Sequence, residues 1–313
     1  MLSEINSSYL LGTIINPLSS YYLCNHFIAS EITPGSHDYI SYKYPIVLPY
    51  GTNNLLVNKN YDTIKNNDII VCQVNYFDLF TREILPTLGD KKILLITSQW
   101  AYPALERSDT TDKVLASSNI ILWISQNPIY ENNDKYMAFP YGINMKDLSL
   151  YYSYLVSVNM DISGNRELLQ NNKNKNILHT NLNVEDWYPE DHIRQKYSSF
   201  GVDSPERLGY IDYLKQITRS RYILSPQGDR PDCYRNYEAI GLGCIPISNL
   251  AERFQEIFGE NMIYRNGEDM QKILQTSRVT VDEEDNKYKL PNRRIILSSY
   301  WREKIIERIK KVV

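Results

Sequence analysis

The stretch SPQGDRPDCYRNYEAIGLGCIPIS, residues 225–248, decides how this chain reads. The apolar run just before it, RYILS, has the length and composition of a short buried strand, and DCYRNYEAIGL those of a helix. Asp232 is the expected N-cap, and Gly243 stands where a left-handed residue closes a helix. CIPIS then reads as a second buried strand. Strand, Gly-containing loop, helix, strand is the unit that places a ligand at the C-terminal edge of a parallel sheet. The helix offers free N–H groups and a positive dipole end to an anion. Arg235, in its first turn, adds a guanidinium able to fork onto phosphate oxygens. Glu238, one turn further on the same face, either pairs with Arg235 or accepts two hydrogen bonds from vicinal hydroxyls, as an acidic residue does for ribose. Arg219 and Arg221 read as partners of a helix C-terminus or as further cations for a phosphate.

Upstream, DIIVCQ (68–73), KKILLITS (91–98) and NIILWIS (119–125) are continuous apolar runs of the kind buried on both faces of a parallel sheet. Between the first two, NYFDLFTREILPTL carries Phe77, Phe80, Ile84 and Leu88 at helical spacing, and MKDLSLYYSYLVSV reads as another helix. The Asn-rich segment 163–176 is a shift in composition typical of a domain boundary, and NILHTNL (176–182) starts a new strand. The last segment, LSSYWREKIIERIKKVV, puts Trp301, Ile305, Ile306 and Ile309 on one side of an amphipathic helix. The expected fold class is α/β: a Rossmann-like half over 1–150, a second over 151–297, ligand in a cleft between them, and a terminal helix over 298–313.

The 313 residues are 42% hydrophobic with a net charge of −3, an ordinary soluble profile without the basic excess of a nucleic-acid binder. The 26 tyrosines form no periodic stripe and read as compositional bias. Four cysteines without close spacing, two of them (Cys72 and Cys244) inside apolar runs, argue against a disulfide framework or a zinc site. No run is long enough to span a membrane and no signal-like leader opens the chain, so a soluble, cytoplasmic protein is expected. The glycines fit neither the dinucleotide nor the P-loop fingerprint, and no Asp-x-Asp is present to hold a divalent metal on a diphosphate; no metal site is expected. The acidic run 282–285 reads as a solvated loop.

SRYILSPQGDRPDCYRNYEAIGLGCIPIS resembles the signature of the exostosin-like glycosyltransferases: Ser-Lys/Arg-aromatic strand, Pro-x-Gly-Asp/Asn, Arg-x-x-Glu-Ala, Gly-Cys-Ile-Pro. WISQNPIY followed by FPYGIN, and LHTNLNVEDWYPEDHIRQKY, are similar to segments of related bacterial and viral transferases; Asp232-Cys233 departs from the usual Ser-x-Arg lead. The resemblance implies a two-domain GT-B fold whose last helix crosses back, and inverting, metal-independent transfer from a nucleotide sugar (a UDP- or GDP-sugar) to a glycan acceptor. It implies that Glu238 holds the donor ribose and that Arg235, with the backbone around Gly228, holds the diphosphate. Ser225, Gln227, Asp229, Arg221, Asn181 and Arg194 fall on the rest of the donor motif. Inversion needs one general base, expected from the N-terminal half. Of four histidines, His26 lacks polar company in sequence, and His179 and His192 lie in the donor half. His37, in the loop TPGSHDYIS, is the candidate base together with Asp38, with Glu131 next. Two rivals remain: a non-catalytic carbohydrate-binding or scaffold module on the same fold, and another α/β enzyme with a phosphate-bearing ligand, such as a phosphorylase or an epimerase.

Overall fold

The structure, a computed structural model, describes residues 13–29, 52–98, 105–158, 173, 175–178, 192, 194–195, 208–228, 230–276 and 288–312. The chain forms two compact units: Met1–Tyr141 together with Ser298–Val313, and Gly142–Leu297. Helix Leu148–Ser157, which a division at residue 150 would cut, lies whole in the second unit.

The first unit is built on a parallel six-stranded sheet in the order β2-β1-β3-β4-β5-β6: β1 His26–Ile28, β2 Asn53–Asn54, β3 Ile69–Gln73, β4 Ile93–Ser98, β5 Ile120–Ser125 and β6 Tyr136–Ala138. The three apolar runs are its central strands, and β4 is buried at every position, as a sheet covered on both faces requires. β1, β2 and β6 are two or three residues long, too short for any periodicity to announce them in sequence. Phe77, Phe80, Ile84 and Leu88 are buried as their spacing predicts. Their segment is a succession of one α-helical, one π-helical (Phe80–Ile84) and one 3-10 turn, ended by Gly89 at φ 56°. Phe77 stacks on Trp123 at 5.4 Å, and the indole Nε1 donates to Thr97 Oγ1 at 3.0 Å. Helix α1, Asp109–Ala116, starts in a reciprocal cap, the Ser108 and Thr111 hydroxyls each accepting the other residue's amide.

The second unit carries helix α2, Leu148–Ser157, strand β7, Lys175–Leu178, helix α3, Tyr210–Arg219, and strand β8, Ser220–Leu224. Helix α4, Tyr234–Gly241, strand β9, Ile245–Ser248, strand β10, Ile263–Tyr264, and helix α5, Gly267–Thr276, follow. Its parallel sheet runs β10-β9-β8-β7 among the described residues. Both units are thus parallel α/β sheets of the Rossmann-like kind. Helix α6, Ser298–Val312, belongs to the first unit, where Trp301 packs edge-on against Phe139 at 6.0 Å and Arg308 binds Asn132 and Asn133. Ile305 is buried with Trp301, but Ile306 is 46% exposed, so the apolar face is narrower than its four large side chains imply.

Helix α4 closes as expected: Gly243 has φ 71°, its amide donates to Ile240 O and that of Cys244 to Ala239 O, the two bonds of a Schellman end. Its start differs from expectation. Cys233, not Asp232, is the N-cap and no side chain caps the helix, because Asp232 turns inward to Tyr237 and Asn236. Near the C-terminal end a Cβ on Gly241 would collide with the Tyr151 hydroxyl and stand 2.7 Å from Ile296 Cδ1. Gly241→Ala should therefore cost on the order of 1–3 kcal/mol of stability in urea unfolding, and Tyr151→Phe in the same chain should recover part of it. Full stability of the single variant would show that Tyr151 and Ile296 yield freely.

Candidate functional site

The site assembles at the C-terminal end of β8, on loop 225–233 and the first turns of α4. Ser225 fixes the turn: its amide donates to Ile247 O at 2.8 Å and its hydroxyl donates to Asn236 Oδ1 at 2.7 Å, with Cys233 Sγ at 3.3 Å. The Gln227 amide donates to Asn249 Oδ1 at 2.9 Å and that of Gly228 to Arg230 O at 3.0 Å, which holds the loop on the ends of β8 and β9. A Cβ on Gly228 would stand 2.5 Å from Arg194 Nη2 and 2.9 Å from its Cζ. Only glycine lets the guanidinium lie this close to the loop. Two residues more than thirty positions apart in sequence are thus brought together.

Arg235 and Glu238 share a face of α4 but are joined through Tyr213 of α3. The Arg235 charge bears on the Tyr213 oxygen, and the Tyr213 hydroxyl donates to Glu238 Oε2 at 3.0 Å. Tyr210 donates to Glu238 Oε1 at 2.9 Å. Glu238 is only 5% exposed; burial raises its carboxyl above the ordinary range, while the two tyrosine hydroxyls and the Arg235 charge pull it back. Asp147, just before α2, adds a like charge that opposes ionisation. The Nε and Nη1 of Arg235 are buried and meet no acceptor among the described residues. Donors left in that state are costly, on the order of 1–3 kcal/mol each, and an anion would satisfy them.

The two ends of α4 are treated oppositely. At its C-terminus Lys173 Nζ donates to Leu242 O at 2.9 Å, Arg293 Nε to Gly241 O at 2.7 Å and the Tyr288 hydroxyl to Gly243 O. Lys173 also reaches Ile217 O at 3.3 Å, and burial pulls its ammonium down to about 8. Cations there face the negative dipole end, while no described side chain caps the N-terminus.

Other expected residues lie elsewhere. Arg221 is exposed near the start of β8, at the far end of the strand from Ser225, where its charge acts on Tyr288. Arg219 is exposed in the last turn of α3. His37, Asp38, Asn181, Asp229 and His179 fall outside the described residues. Glu131 is exposed after β5. His26, which the sequence leaves without polar company, has Asp68 at 2.9 Å from its Nε2 because β1 and β3 are paired neighbours. This pair lines a polar groove of about 700 Å³ with Asn25, Asn53, Asn60 and Lys65 at the N-terminal edge of the first sheet. The opposite edge of that sheet is also polar: Gln73, Ser98 and Ser125 end three adjacent strands, and the buried Gln73 Oε1 has no partner among the described residues.

Sequence reading missed Tyr210, Tyr213, Tyr237 and Lys173, whose roles come from segments that only the fold brings to α4. The spacing of Tyr210 and Tyr213, one helical turn, is the one signal that could have drawn attention to a shared target. Among the described residues no group of three or more His, Cys, Asp or Glu side chains is placed to hold a metal ion, and no helix is long and apolar enough to cross a membrane. No protein-family model matches the chain, and no curated protein matches it.

The loop also holds a buried acid. Asp232 accepts from the Tyr237 hydroxyl and from Asn236 Nδ2 at 3.4 Å, yet burial pushes its carboxyl up to about 7. Between pH ~4 and ~7 the fold holds a proton that the unfolded chain has released, so this group favours folding at low pH and loses that contribution as pH rises to about 7. Asp232→Asn does not titrate. The stability of wild type relative to this variant should fall by up to roughly 4 kcal/mol between pH 4 and 7, at about 1.4 kcal/mol per unit, and stay level above. Urea unfolding across the pH series measures it, and a difference that is flat over this window would show Asp232 ionised in the fold.

Proposed function

We propose that the chain is a glycosyltransferase of the GT-B type that moves a sugar from a nucleotide-diphosphate sugar, a UDP- or GDP-sugar, to a glycan hydroxyl with inversion and without an essential metal. One observation carries the reading: Arg235 presents two buried, unpaired N–H donors at the open N-terminus of α4, one turn from the buried carboxylate of Glu238. A diphosphate followed by a ribose needs that order of groups. The resemblance of residues 220–248 to the exostosin-like signature points the same way.

In this reading the acceptor hydroxyl attacks the anomeric carbon from the face opposite the leaving nucleotide, a base takes its proton, and the anomeric C–O bond to the diphosphate breaks. Arg235 and the α4 dipole neutralise the charge that develops on the departing phosphate. Gly228, with Gln227, keeps the loop low enough for Arg194 to approach, and Arg194 is a second cation on the donor side. His37 or Asp38 is the proposed base.

A second reading, a non-catalytic sugar-binding module, has one observation in its favour: both Glu238 oxygens already accept tyrosine hydroxyls. Each oxygen keeps a lone-pair position, so a ribose is not excluded by them. Donor titration separates the two. With UDP- and GDP-sugars, transfer should persist in excess EDTA; abolition reversed by manganese would falsify the metal-independent reading. Arg235→Ala should bind nucleotide more weakly than Arg235→Lys, and Glu238→Ala should lose roughly 1–3 kcal/mol of nucleotide affinity with the fold intact. No response to any nucleotide in wild type leaves the binding module. For the base, His37→Ala or Asp38→Asn should reduce transfer by about a hundredfold or more at unchanged nucleotide affinity; unimpaired transfer in both moves the assignment to Glu131.

A further inference from the structure

Tyr213 stands between the two charged groups of α4. The Arg235 charge bears on its oxygen, and its only proton goes to Glu238 Oε2 at 3.0 Å. Burial, with the charge of Glu238 behind it, raises the phenol well above its ordinary value, so the hydroxyl keeps that proton. A guanidinium and a carboxylate one helical turn apart on the same face would otherwise attract each other into a forked pair, consuming two N–H groups. With the phenol interposed, Nε and Nη1 remain without an acceptor among the described residues. Tyr210 provides an internal comparison. It donates to the other oxygen of Glu238 at 2.9 Å and packs beside Tyr213, with ring centroids 6.1 Å apart.

We propose that Tyr213 is the positioning residue of this site: it acts as a spacer that prevents Arg235 from closing on Glu238 and holds its Nε and Nη1 ready as a two-pronged donor for diphosphate oxygens. This rests on the reading of Arg235 as the anion-binding group. The role needs the hydroxyl and not the ring, so Tyr213→Phe removes the function while leaving most of the buried volume in place.

The probe is inorganic pyrophosphate, titrated calorimetrically at fixed ionic strength into the full chain. Tyr213→Phe should weaken it by about tenfold or more, and Tyr210→Phe by no more than about threefold. In an Arg235→Ala background, Tyr213→Phe should add less than about twofold, because a residue acting through Arg235 has nothing left to position; a purely structural contribution would add in full. If wild type binds no pyrophosphate, the anion-site reading itself fails. If wild type binds and Tyr213→Phe binds equally well, or its loss is additive with Arg235→Ala, the positioning role is overturned and the anion site stands. Should Tyr213→Phe melt below the assay temperature, Glu238→Gln decides. It keeps an acceptor for the Tyr213 hydroxyl while removing the charge, so retained affinity supports Tyr213 as the anchor. A tenfold loss assigns the role to the Glu238 charge instead.

Discussion

Helix α4 is fastened at one end and left open at the other, and the second unit is organised around that asymmetry. Lys173, Arg293 and Tyr288 converge on the carbonyls of residues 241–243, while Gly243 turns the chain into β9. Tyr151 presses on Gly241 so closely that no side chain fits there. The helix is therefore fixed along its axis and in rotation, and the residues on its free turns, Arg235 and Glu238, inherit that fixity. A site on a rigid element can hold two charges apart at short range, which a loop could do only at a large entropic cost.

The surroundings of Arg235 and Glu238 balance burial against charge. Taking a carboxylate out of water is expensive unless its oxygens are hydrogen-bonded, and two tyrosines supply that without adding charge. Two tyrosine donors satisfy the acid while leaving the nearby cation uncommitted. A lysine or arginine in place of either tyrosine would have quenched Glu238 more strongly and put a second positive charge beside Arg235.

The strands that form both sheet centres were legible in sequence because each is a continuous apolar run, and continuity is what burial on two faces demands. The strands that were not legible, β1, β2, β6 and β10, are at most three residues long and owe their existence to a neighbour already in place. The loop–helix motif could be read because glycines and Pro-containing turns act locally: Gly243 sits where a left-handed residue is needed whatever the rest of the chain does. Asp232 misled for the opposite reason. A capping residue is a local preference, and a buried tyrosine hydroxyl five residues on outbids it. His26 and Asp68 are 42 residues apart, and only strand pairing makes them partners.

The first unit draws its last helix from the far end of the chain. Trp301 covers Phe139, and Arg308 ties down Asn132 and Asn133, so residues 298–312 complete a layer whose other members precede residue 142. In the second unit the carbonyls of α4 wait for Arg293. As the chain emerges during synthesis, the sheet of residues 26–138 stands exposed on one flank while the whole second unit is made. The unit begun first is thus the one finished last, because residues 298–312 must leave the ribosome before its layer can close.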